Sequence, residues 1–558
     1  MLVHESGRGG LKKRPAAARA VVHSRIMAEK RKVEIEVRMA AEGEAGCPVK
    51  MGFIDNSMRC GRKLHIALDG MDEGHVCLMH SKDFNKQFGP LFDEFWREFE
   101  RILKDAGDGE AHFERFIFPK LDFKKRKFQA ICRFDGATFT HEANFDGAIF
   151  AQDVRFDTAT FTQQADFNNA IFTQEANFWE TTFTQEADFH HVTFTQNANF
   201  WDATFTQDAN FYGATFMQNA KFWNTTFMQN AIFIEARFMQ DADFHDTTFT
   251  QNTVFVAATF TQSADFTDTK FHETVDWRLS QFLDRAEFRK TKLEPSNNEK
   301  PSAVFALAKF SKPGDVVFND VDLDRALFHD CDVSQFIFTS SVRWGRRKGN
   351  RGLAIFEETI DLKNEFAKGL KRDGQRDYNA IKQIYQQLKK NYDSRLDYGT
   401  ANEFHFGEME MKRLAVPTAG RLLWLRQWWH PRLSFVALYR WASDYGNSYR
   451  KPLAWLAFFL LLFAVVFPLP GVVRQGETKA ESYVSRWDFQ KGYGENLWAE
   501  MDMFANGLIA SVDAAEFQRS PKVEPARRVG WLMARFETVL TSSLFALFLL
   551  AMRRQFRR

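Results

Sequence analysis

The chain has 558 residues, too many for one hydrophobic core, so we expect several domains. Phenylalanine occurs 61 times, far above ordinary usage, which indicates that a regular pattern places it. The formal net charge of +2 hides an asymmetry, since residues 134–277 carry 20 acidic side chains against 4 Lys and Arg and the remainder is basic. Five cysteines in so long a chain do not indicate a disulfide framework and fit a reducing compartment.

The first segment, residues 1–46, is predicted to be a basic, disordered tail. The stretch up to Met27 carries many Arg and Lys but no apolar core, so it does not have the pattern of a secretory signal. An organellar transit peptide would have a similar composition, but a basic tail or a later start at Met27 accounts for it more simply.

A small metal-binding module is predicted at residues 47–82. Cys47, Cys60, Cys77 and His80 fall there, and the last two form a Cys-x-x-His pair. These are the four soft ligands of a tetrahedral, structural zinc site, which would leave no open position for catalysis. The alternative is a set of buried or incidental cysteines, because the first two spacings are long and no Cys-x-x-Cys occurs.

An amphipathic helix is predicted between Phe84 and Leu103, within a capping segment at residues 83–117. It directly precedes a repeat block. The first coil of a stacked repeat has an open backbone edge, which invites pairing with other chains. We therefore predict that this helix covers the first coil.

The central block repeats a unit of eleven residues, in which Phe recurs at alternating gaps of five and six from Phe134 to Phe271, with Trp277 in the next slot. A small or β-branched residue stands two positions before each aromatic, as Ala137 does before Phe139. Positions i−2 and i share a face only in an extended chain. A helical supercoil is excluded because the unit is rich in Thr, Asn, Asp and Gly. The spacing predicts very short strands that form coils of about 22 residues with four sides.

A strict five-residue version follows, in which Cys331 occupies a small, inward-facing position. Its aromatic and aliphatic positions are Phe318, Leu323, Phe328, Val333 and Phe338. Here the chain resembles the pentapeptide repeat family, although the six-residue steps upstream depart from the family's pattern. The resemblance implies a mainly β fold over residues 118–345, a right-handed quadrilateral β-helix, with α-helical flanks.

Four aromatic side chains are predicted to face outward from the turns of the β-helix, namely Trp179, Trp201, Tyr212 and Trp223. Trp179, Trp201 and Trp223 are 22 residues apart and would stack on one side. This row of aromatics either shields the edge of the ladder or, with its flanking acids, forms a surface for a protein partner.

A helical linker is predicted at residues 354–450. Its Phe404–Arg413 run resembles the Phe-His-Tyr-Gly-Glu-Met-Glu stretch that follows pentapeptide repeats in a group of bacterial membrane proteins. We expect Glu408 and Glu410 to be solvated acids that pair with the next basic residues of the same helix, Lys412 and Arg413. Neither is expected to be catalytic.

Two C-terminal transmembrane helices are predicted at residues 453–473 and 529–552, because each segment is apolar and long enough to span a hydrocarbon core. The segment Leu422–Trp441 has the pattern of an interfacial approach to the bilayer. Basic residues precede the first span and follow the second, which places the β-helix and both termini in the cytoplasm, in a bacterial inner membrane.

The connecting loop, residues 474–528, contains an amphipathic stretch from Leu497 to Val512. The arrangement resembles the helix, pore helix and helix of simple cation channels. Asp502 and Asp513 are therefore candidates for a cation-attracting ring in a homo-oligomer, or else acids of the loop.

No enzyme motif is present, neither a phosphate-binding Gly-Lys-Ser/Thr loop nor a Gly-x-Ser-x-Gly elbow nor His-Glu-x-x-His. We predict a non-enzymatic, membrane-anchored scaffold that presents its β-helix to a protein partner. The alternative is an oligomeric ion channel or transport protein regulated by the β-helix. A third reading, less favoured, is an acidic DNA mimic that acts on a topoisomerase, as the family includes such members. Direct nucleic-acid binding is not expected, since phosphate contacts require Lys and Arg.

Overall fold

The computed structural model gives the fold in two units that divide after Glu186. The residues that it describes are 46–51, 58–62, 64–65, 76–297, 299–347, 352–372, 374–415, 430–474, 493–515, 523–525 and 527–555. The predicted tail at residues 1–46 lies outside them except for its last residue, and so do residues 422–429 of the predicted interfacial segment Leu422–Trp441.

The first unit begins with two short antiparallel strand pairs and ends in turns of a solenoid. The strand pairs are Lys50–Met51 with Met58–Arg59 and Leu64–His65 with Val76–Cys77. Two 3₁₀ helices follow, Leu78–His80 and Phe84–Gln87, and then helix α1, Gly89–Ala106.

Helix α1 covers the phenyl rings of the first coil. Its apolar face is formed by Phe95, Phe99 and Ile102, which are buried at helical spacing. The ring of Phe99 stacks on that of Phe113 at 4.6 Å. The helix ends at Gly107, whose φ of 58° belongs to the region that glycine adopts most readily.

The solenoid begins earlier than the sequence predicts, inside the range 83–117 assigned to the cap. The phenylalanines of the first coil are irregularly spaced, so the period becomes visible only from Phe134. The strands of this unit form the four sides of the solenoid and are grouped here by side, with one strand from each successive coil. They are Glu110–His112, Ile131–Arg133, Val154–Arg155 and Ala176–Asn177; Ile117–Phe118, Thr138–Phe139, Thr160–Phe161 and Thr182–Phe183; Leu121–Asp122, Ala143–Asn144 and Ala165–Asp166; Lys127–Phe128, Ile149–Phe150 and Ile171–Phe172.

The second unit contains further turns of the same kind, again with four sides. Its solenoid strands are Ala187–Asp188, Ala209–Asn210, Ala231–Ile232, Thr253–Val254, Val275–Asp276, Ala303–Val304 and Ala326–Leu327; Thr193–Phe194, Thr215–Phe216, Arg237–Phe238, Thr259–Phe260, Gln281–Phe282 and Lys309–Phe310; Ala198–Asn199, Ala220–Lys221, Ala242–Asp243, Ala264–Asp265, Ala286–Arg289, Val316–Asn319 and Ile337–Phe338; Thr204–Phe205, Thr226–Phe227, Thr248–Phe249, Lys270–Phe271 and Lys292–Leu293. The predicted β-solenoid is confirmed, with about ten turns in all.

Within each unit the coils pair in parallel, and in the regular part of the repeat the paired residues are 22 apart, as Thr138 and Thr160 are. The small residue and the Phe of each step point inward and are fully buried. Along the axis the rings stack face to face, for example Phe200 on Phe222 at 5.0 Å with an interplanar angle of 1°. The core is therefore a ladder in which each side chain contacts its equivalents in neighbouring coils.

The alternation of five and six residues has a physical cause in the turns. The five-residue step contains a β-turn whose third residue has a positive φ, as Thr158 has at 57°, and Ala159 N–H donates to the Phe156 carbonyl at 2.9 Å. The same conformation recurs every eleven residues, mostly at Asn, Asp or Gly, the types that tolerate it best. In the described residues 134–271, the six-residue step has no residue with a positive φ at its turn. Its turn therefore has a different conformation and uses one residue more.

Six helices follow the solenoid in the described part of the second unit. They are α2, Tyr378–Ser394; α3, Tyr398–Leu414; α4, Phe435–Ser443; α5, Arg450–Val466; α6, Tyr493–Ala515; and α7, Arg528–Gln555. The shorter elements are the strand pairs Gly345–Arg346 with Leu353–Ala354, Lys371–Arg372 with Gln375–Arg376, and Val472–Arg474 with Val523–Pro525, and the 3₁₀ helices Pro313–Asp315, Phe356–Glu358 and Glu365–Leu370.

Helix α2 closes the C-terminal end of the solenoid. The Asn391 amide donates to the carbonyls of Val333 and Phe336 at 2.9 and 2.8 Å. Trp344 Nε1–H donates to the Tyr392 hydroxyl at 2.9 Å. The two bonds from Asn391 satisfy backbone carbonyls of the last coil that no further coil can reach.

The expectation for Glu408 was wrong, because its side chain is only 14% exposed and does not pair with Lys412. It accepts from Lys389 Nζ at 2.7 Å on the neighbouring helix α2. The His405 imidazole, which also hydrogen-bonds to it, and Lys389 together hold the pKa of Glu408 well below its usual range. Helix pairing therefore places this carboxylate in a partly buried interhelical contact.

Glu410 is also buried, whereas a solvated acid was expected. It does pair with Arg413 as predicted, at 2.8 Å, but it accepts as well from the Tyr445 hydroxyl at 2.8 Å and from Arg440 at 3.1 Å. Arg440 and Tyr445 lie more than 25 residues from Glu410 in the sequence, so the spacing within the helix could not predict these two contacts.

One helix among the described residues is long and apolar enough to span a membrane, Arg528–Arg554. The segment predicted as the first span forms α5, which has 17 residues, about 25 Å at the usual helical rise. That is shorter than a hydrocarbon core of about 30 Å. Two transmembrane helices are therefore not confirmed.

Helices α5, α6 and α7 pack against one another within the second unit. The apolar core between them is formed by Phe463, Phe467, Val472, Met503, Ala510 and Val523. A Cβ on Gly507 would lie 1.9 Å from the Ala464 carbonyl oxygen, so α5 and α6 approach too closely there for any side chain.

Candidate metal centre and partner surface

The four residues predicted as metal ligands come together in the first unit. One ligand atom from each of Cys47, Cys60, Cys77 and His80 lies within 4.8 Å of all the others. The Cys60 and Cys77 sulfurs are 3.7 Å apart, and His80 Nδ1 lies 3.2 Å from Cys77 Sγ and 3.5 Å from Cys47 Sγ. A tetrahedral metal with bonds of about 2.3 Å to sulfur has sulfur–sulfur edges of about 3.8 Å. The cluster can therefore hold a metal ion.

The first strand pair places Cys47 and Cys60 side by side. Cys47 N–H donates to the Arg62 carbonyl at 2.8 Å, and Cys60 N–H donates to the Val49 carbonyl at 2.9 Å. Gly61, with φ of 62°, turns the chain so that its N–H reaches the Cys47 carbonyl at 3.1 Å. Backbone bonds thus fix both sulfurs on one end of the hairpin.

The Cys-x-x-His pair is brought together by the 3₁₀ turn Leu78–His80. The second ring nitrogen, His80 Nε2, lies 3.2 Å from the Glu114 carbonyl oxygen. Since a carbonyl only accepts, Nε2 carries the hydrogen, and Nδ1 presents its lone pair to the cysteine sulfurs. This is the orientation that metal-ligating histidines require.

A cation also stands at the edge of the cluster. Arg62 Nη1 donates to Cys60 Sγ at 3.2 Å, and its Nε pairs with Glu98 of α1 at 2.8 Å. Hydrogen bonds from Cys47 and Cys77 hold the pKa of Cys60 well below its usual range. The sequence pattern did not single out Arg62, because nothing in its spacing marks it.

The two remaining cysteines do not belong to the cluster. Cys132 and Cys331 occupy inward positions of the solenoid, where burial raises the pKa of each thiol. Cys331 is thus the small core residue that the sequence predicts, and Cys132 likewise packs as a small core side chain.

The predicted aromatic surface divides into separate columns. In the second unit Trp201 and Trp223 stack at 4.8 Å with an interplanar angle of 5°, and they are 37% and 41% exposed. His245 continues this column edge-on to Trp223 at 6.1 Å. Trp179 lies in the first unit and is half-buried.

Tyr212 is not in the same column as the tryptophans, because it is offset from each by half a coil. Its ring packs edge-on to His190 at 5.0 Å and His191 at 5.5 Å. Tyr212 therefore belongs to a different surface from Trp201 and Trp223, since the eleven-residue unit occurs twice per coil.

Residues of the repeat block match a family model described as pentapeptide repeats, in nine copies, over 145–193, 189–237 and 233–281. Residues 145–281 therefore consist of pentapeptide repeats. No curated protein and no solved structure matches the chain significantly. The likeness therefore covers the repeats alone, and the flanking regions must be interpreted from their own residues.

Acidic side chains line the tryptophan column of the pentapeptide repeats. Asp202 and Asp246 occupy the positive-φ position directly after the column residue, and Asp268 follows one coil later. Asp246 pairs with His245 at 3.2 Å. His245, Asp246 and Asp268 also lie close enough to share a cation, but all three are partly exposed.

The predicted pore acids Asp502 and Asp513 both lie on α6, Asp513 buried and Asp502 half-buried. Eleven residues make about three helical turns, so the two fall on nearly the same face. An acidic ring would need several copies of the chain. The channel assignment of these two residues stays a prediction.

Proposed function

We propose that this protein is a membrane-anchored scaffold that presents its pentapeptide-repeat solenoid to a protein partner. The observation that carries the proposal is the stacked and exposed Trp201–Trp223 pair on a rigid, regular surface. Exposed tryptophans in a fixed arrangement are typical of binding hot spots, because a partner can cover them at little entropic cost.

The charges around this column favour a basic partner. Asp202 lies beside Trp201, and residues 134–277 carry 20 acids against 4 Lys and Arg. A guanidinium group could stack on an indole face while pairing with a neighbouring carboxylate. We therefore propose that the partner contributes Arg or Lys side chains to the contact.

The membrane anchor is supported by the apolar surface of the last helices. On α7, Leu532, Phe536 and Val539 are each more than 60% exposed, and on α5, Phe458 and Leu461 are about half exposed. Apolar patches of this kind mark membrane or protein contacts. We propose that α7 spans the bilayer and that the shorter α5 accompanies it.

The proposed orientation follows from the flanking charges. Arg450 and Lys451 begin α5, and Arg553 and Arg554 end α7. By the positive-inside rule these ends face the cytoplasm, so the solenoid would be cytoplasmic on a bacterial inner membrane.

Photo-crosslinking in cells that express the full-length protein tests the partner surface. A photoreactive residue at position 201 or 223 should capture one defined protein, while the same residue at the exposed positions of Met217 or Met239 should not. The captured protein, once purified, should bind Trp201→Ala/Trp223→Ala at least about tenfold more weakly than the wild type. Capture at all four positions alike, or equal affinity for the double variant, would contradict the proposal.

An oligomeric channel is the second candidate, and the acids of the helical region favour it. Glu537 of α7 accepts from the Ser511 hydroxyl of α6, and Asp513 of α6 is also buried. Buried acids in membrane helices often line ion paths. Ion flux through liposomes that contain the purified protein separates the two functions. If the protein is a scaffold, the ion flux through these liposomes should not exceed that through protein-free liposomes.

The metal cluster has a supporting place in this proposal. Four protein ligands leave no position open for a substrate, so a bound ion would stabilise one end of the scaffold rather than catalyse a reaction. Zinc is the ion that three thiolates and an imidazole favour in this geometry. We propose no enzymatic activity.

A further inference from the structure

We infer that the cluster of Cys47, Cys60, Cys77 and His80 binds one zinc ion, and that this ion clamps the N-terminal module onto the first coil of the solenoid. The inference adds a metal site to the proposed scaffold and does not depend on the partner. Its basis is the convergence of four donors from two separate strand pairs on a space of the size that a tetrahedral ion needs.

The described part of the module consists of very short elements. Among the described residues of 47–82, the buried hydrophobic side chains are Cys47, Val49, Cys77, Leu78 and Met79. Each strand there is only two residues long. Short strand pairs of this kind are marginal in water, and small domains without a core commonly use a metal instead.

A disulfide does not account for the arrangement. The Cys60 and Cys77 sulfurs are 3.7 Å apart, and all five cysteines are free. A bond between these two would leave Cys47 and the lone pair of His80 Nδ1 facing each other without a function. One ion bonded to all four donors uses every one of them, with the thiols releasing their protons on binding.

The ligands are connected to the first coil as well as to each other. His80 Nε2–H donates to the Glu114 carbonyl at 3.2 Å, and the His80 ring packs edge-on to Phe116 at 5.2 Å. The Arg62 guanidinium lies 5.3 Å from the same phenyl ring while pairing with Glu98 of α1. The ion would thus fix the hairpin, helix α1 and the first coil in one assembly.

A buried lysine strengthens the same junction. Lys86 Nζ donates to the Ile117 carbonyl at 2.6 Å and to the carbonyls of Ser81 and Leu78. Its side chain is only 1% exposed, so its charge depends on these carbonyls remaining in place. Release of the 3₁₀ turn Leu78–His80 would remove one of them and expose the edge of the first coil.

Metal analysis of the full-length protein, purified under reducing conditions, tests the site itself. We expect one zinc per chain, and visible absorption of a tetrahedral thiolate complex when cobalt replaces it. Cys47→Ser, Cys60→Ser and His80→Ala should lose the ion, whereas Cys331→Ala, a change at a free cysteine in the solenoid core, should keep it. No metal in the reduced wild type after zinc is supplied, or a Cys60–Cys77 disulfide in its place, would overturn the inference.

Hydrogen exchange before and after removal of the ion with a chelator tests the clamp separately. Peptides that cover Glu110–Phe118 and Leu78–His80 should exchange at least about tenfold faster without zinc, because the bonds that cover them open. A peptide over Ala286–Arg289 in the second unit is the control and should not change. Stoichiometric zinc with unchanged exchange at the first coil would refute the clamp while leaving the metal site intact.

Discussion

The solenoid of the second unit and the helices that follow it are stabilised in different ways. In the solenoid, one contact is made again in every coil, as the ring of Phe200 stacks on Phe222 and that of Phe222 on Phe244. In α2 and α3, each contact is made once, such as that of Gly407 with the Tyr385 ring or of Glu410 with Tyr445. Because the solenoid contacts repeat, the spacing of residues in the sequence predicts them. The helix contacts involve residues that no repeat marks, so the sequence does not predict them.

The largest effect is expected in the ladder. Phe200→Ala should lower the free energy of unfolding by about 3–5 kcal/mol, because it removes a fully buried ring and leaves a cavity between rigid coils. Urea denaturation of the full-length protein in detergent, followed by circular dichroism, measures the change. Met217→Ala, at a residue 46% exposed, is the control and should change the free energy by less than about 0.5 kcal/mol. Equal effects of the two variants would mean that the rings do not carry the stability.

The junction between the last coil and the helices should respond to pH. Glu357 is fully buried and accepts from the Phe328 backbone N–H, and burial raises its pKa to about 7 from a usual 4.5. The folded state therefore holds a proton that the unfolded state releases. The stabilisation that protonated Glu357 contributes is complete below pH 4.5 and is lost as the pH rises to 7. Over this range the free energy of unfolding should fall by at most about 1.4 kcal/mol per pH unit.

Glu357→Gln isolates that contribution, since glutamine keeps the shape of the protonated acid and does not titrate. Urea midpoints between pH 4.5 and 8 should fall more steeply for the wild type than for the variant. Parallel pH profiles would show that Glu357 is ionised at little cost in the folded protein.

The single-copy contacts of the helices can be tested at Gly407. A Cβ at this position would lie 2.3 Å from the Tyr385 ring, so Gly407→Ala should force α2 and α3 apart and cost about 1–3 kcal/mol. Gly399→Ala in the first turn of the same helix is the matched control, because its Cβ would meet only an ordinary contact at 3.6 Å. Thermal unfolding of both variants decides the point, and a Gly407→Ala protein as stable as Gly399→Ala would contradict this packing.

The difference between repeated contacts in the solenoid and single contacts in the helices explains which features could be predicted from the sequence. The strands, the inward Phe and Ala and the inward Cys331 were predictable because a spacing of five and six in an extended chain leaves one arrangement. The cluster of Cys47, Cys60, Cys77 and His80 could be predicted from residue type, but the contacts of Arg62 and of the Glu114 carbonyl with it depend on the tertiary structure. Glu408 and Glu410 were misjudged because their partners lie on other elements.

The membrane region shows the same limit. Hydropathy marked two apolar segments correctly as helices, but it could not predict where each helix ends. Helix α5 stops at Val466, two residues before Pro468. Proline has no backbone N–H to donate, and its ring clashes with the preceding helical turn, so it disfavours continuation of the helix. Among the described helices, only α7 is both long and apolar enough to span a membrane.

The smallest expected effect lies within the repeat itself. Thr247 occupies a slot where other coils have Ala, and its hydroxyl donates to the Phe222 carbonyl at 2.6 Å. Thr247→Ala should therefore cost only about 1 kcal/mol, because the ladder already accepts alanine there and a single hydrogen bond is lost. Thr247→Val keeps the volume but places a methyl group against that carbonyl, so it should cost more than alanine. A higher urea midpoint for Thr247→Val than for Thr247→Ala would contradict this. It would mean that the volume of the side chain at this position contributes more to stability than its hydrogen bond.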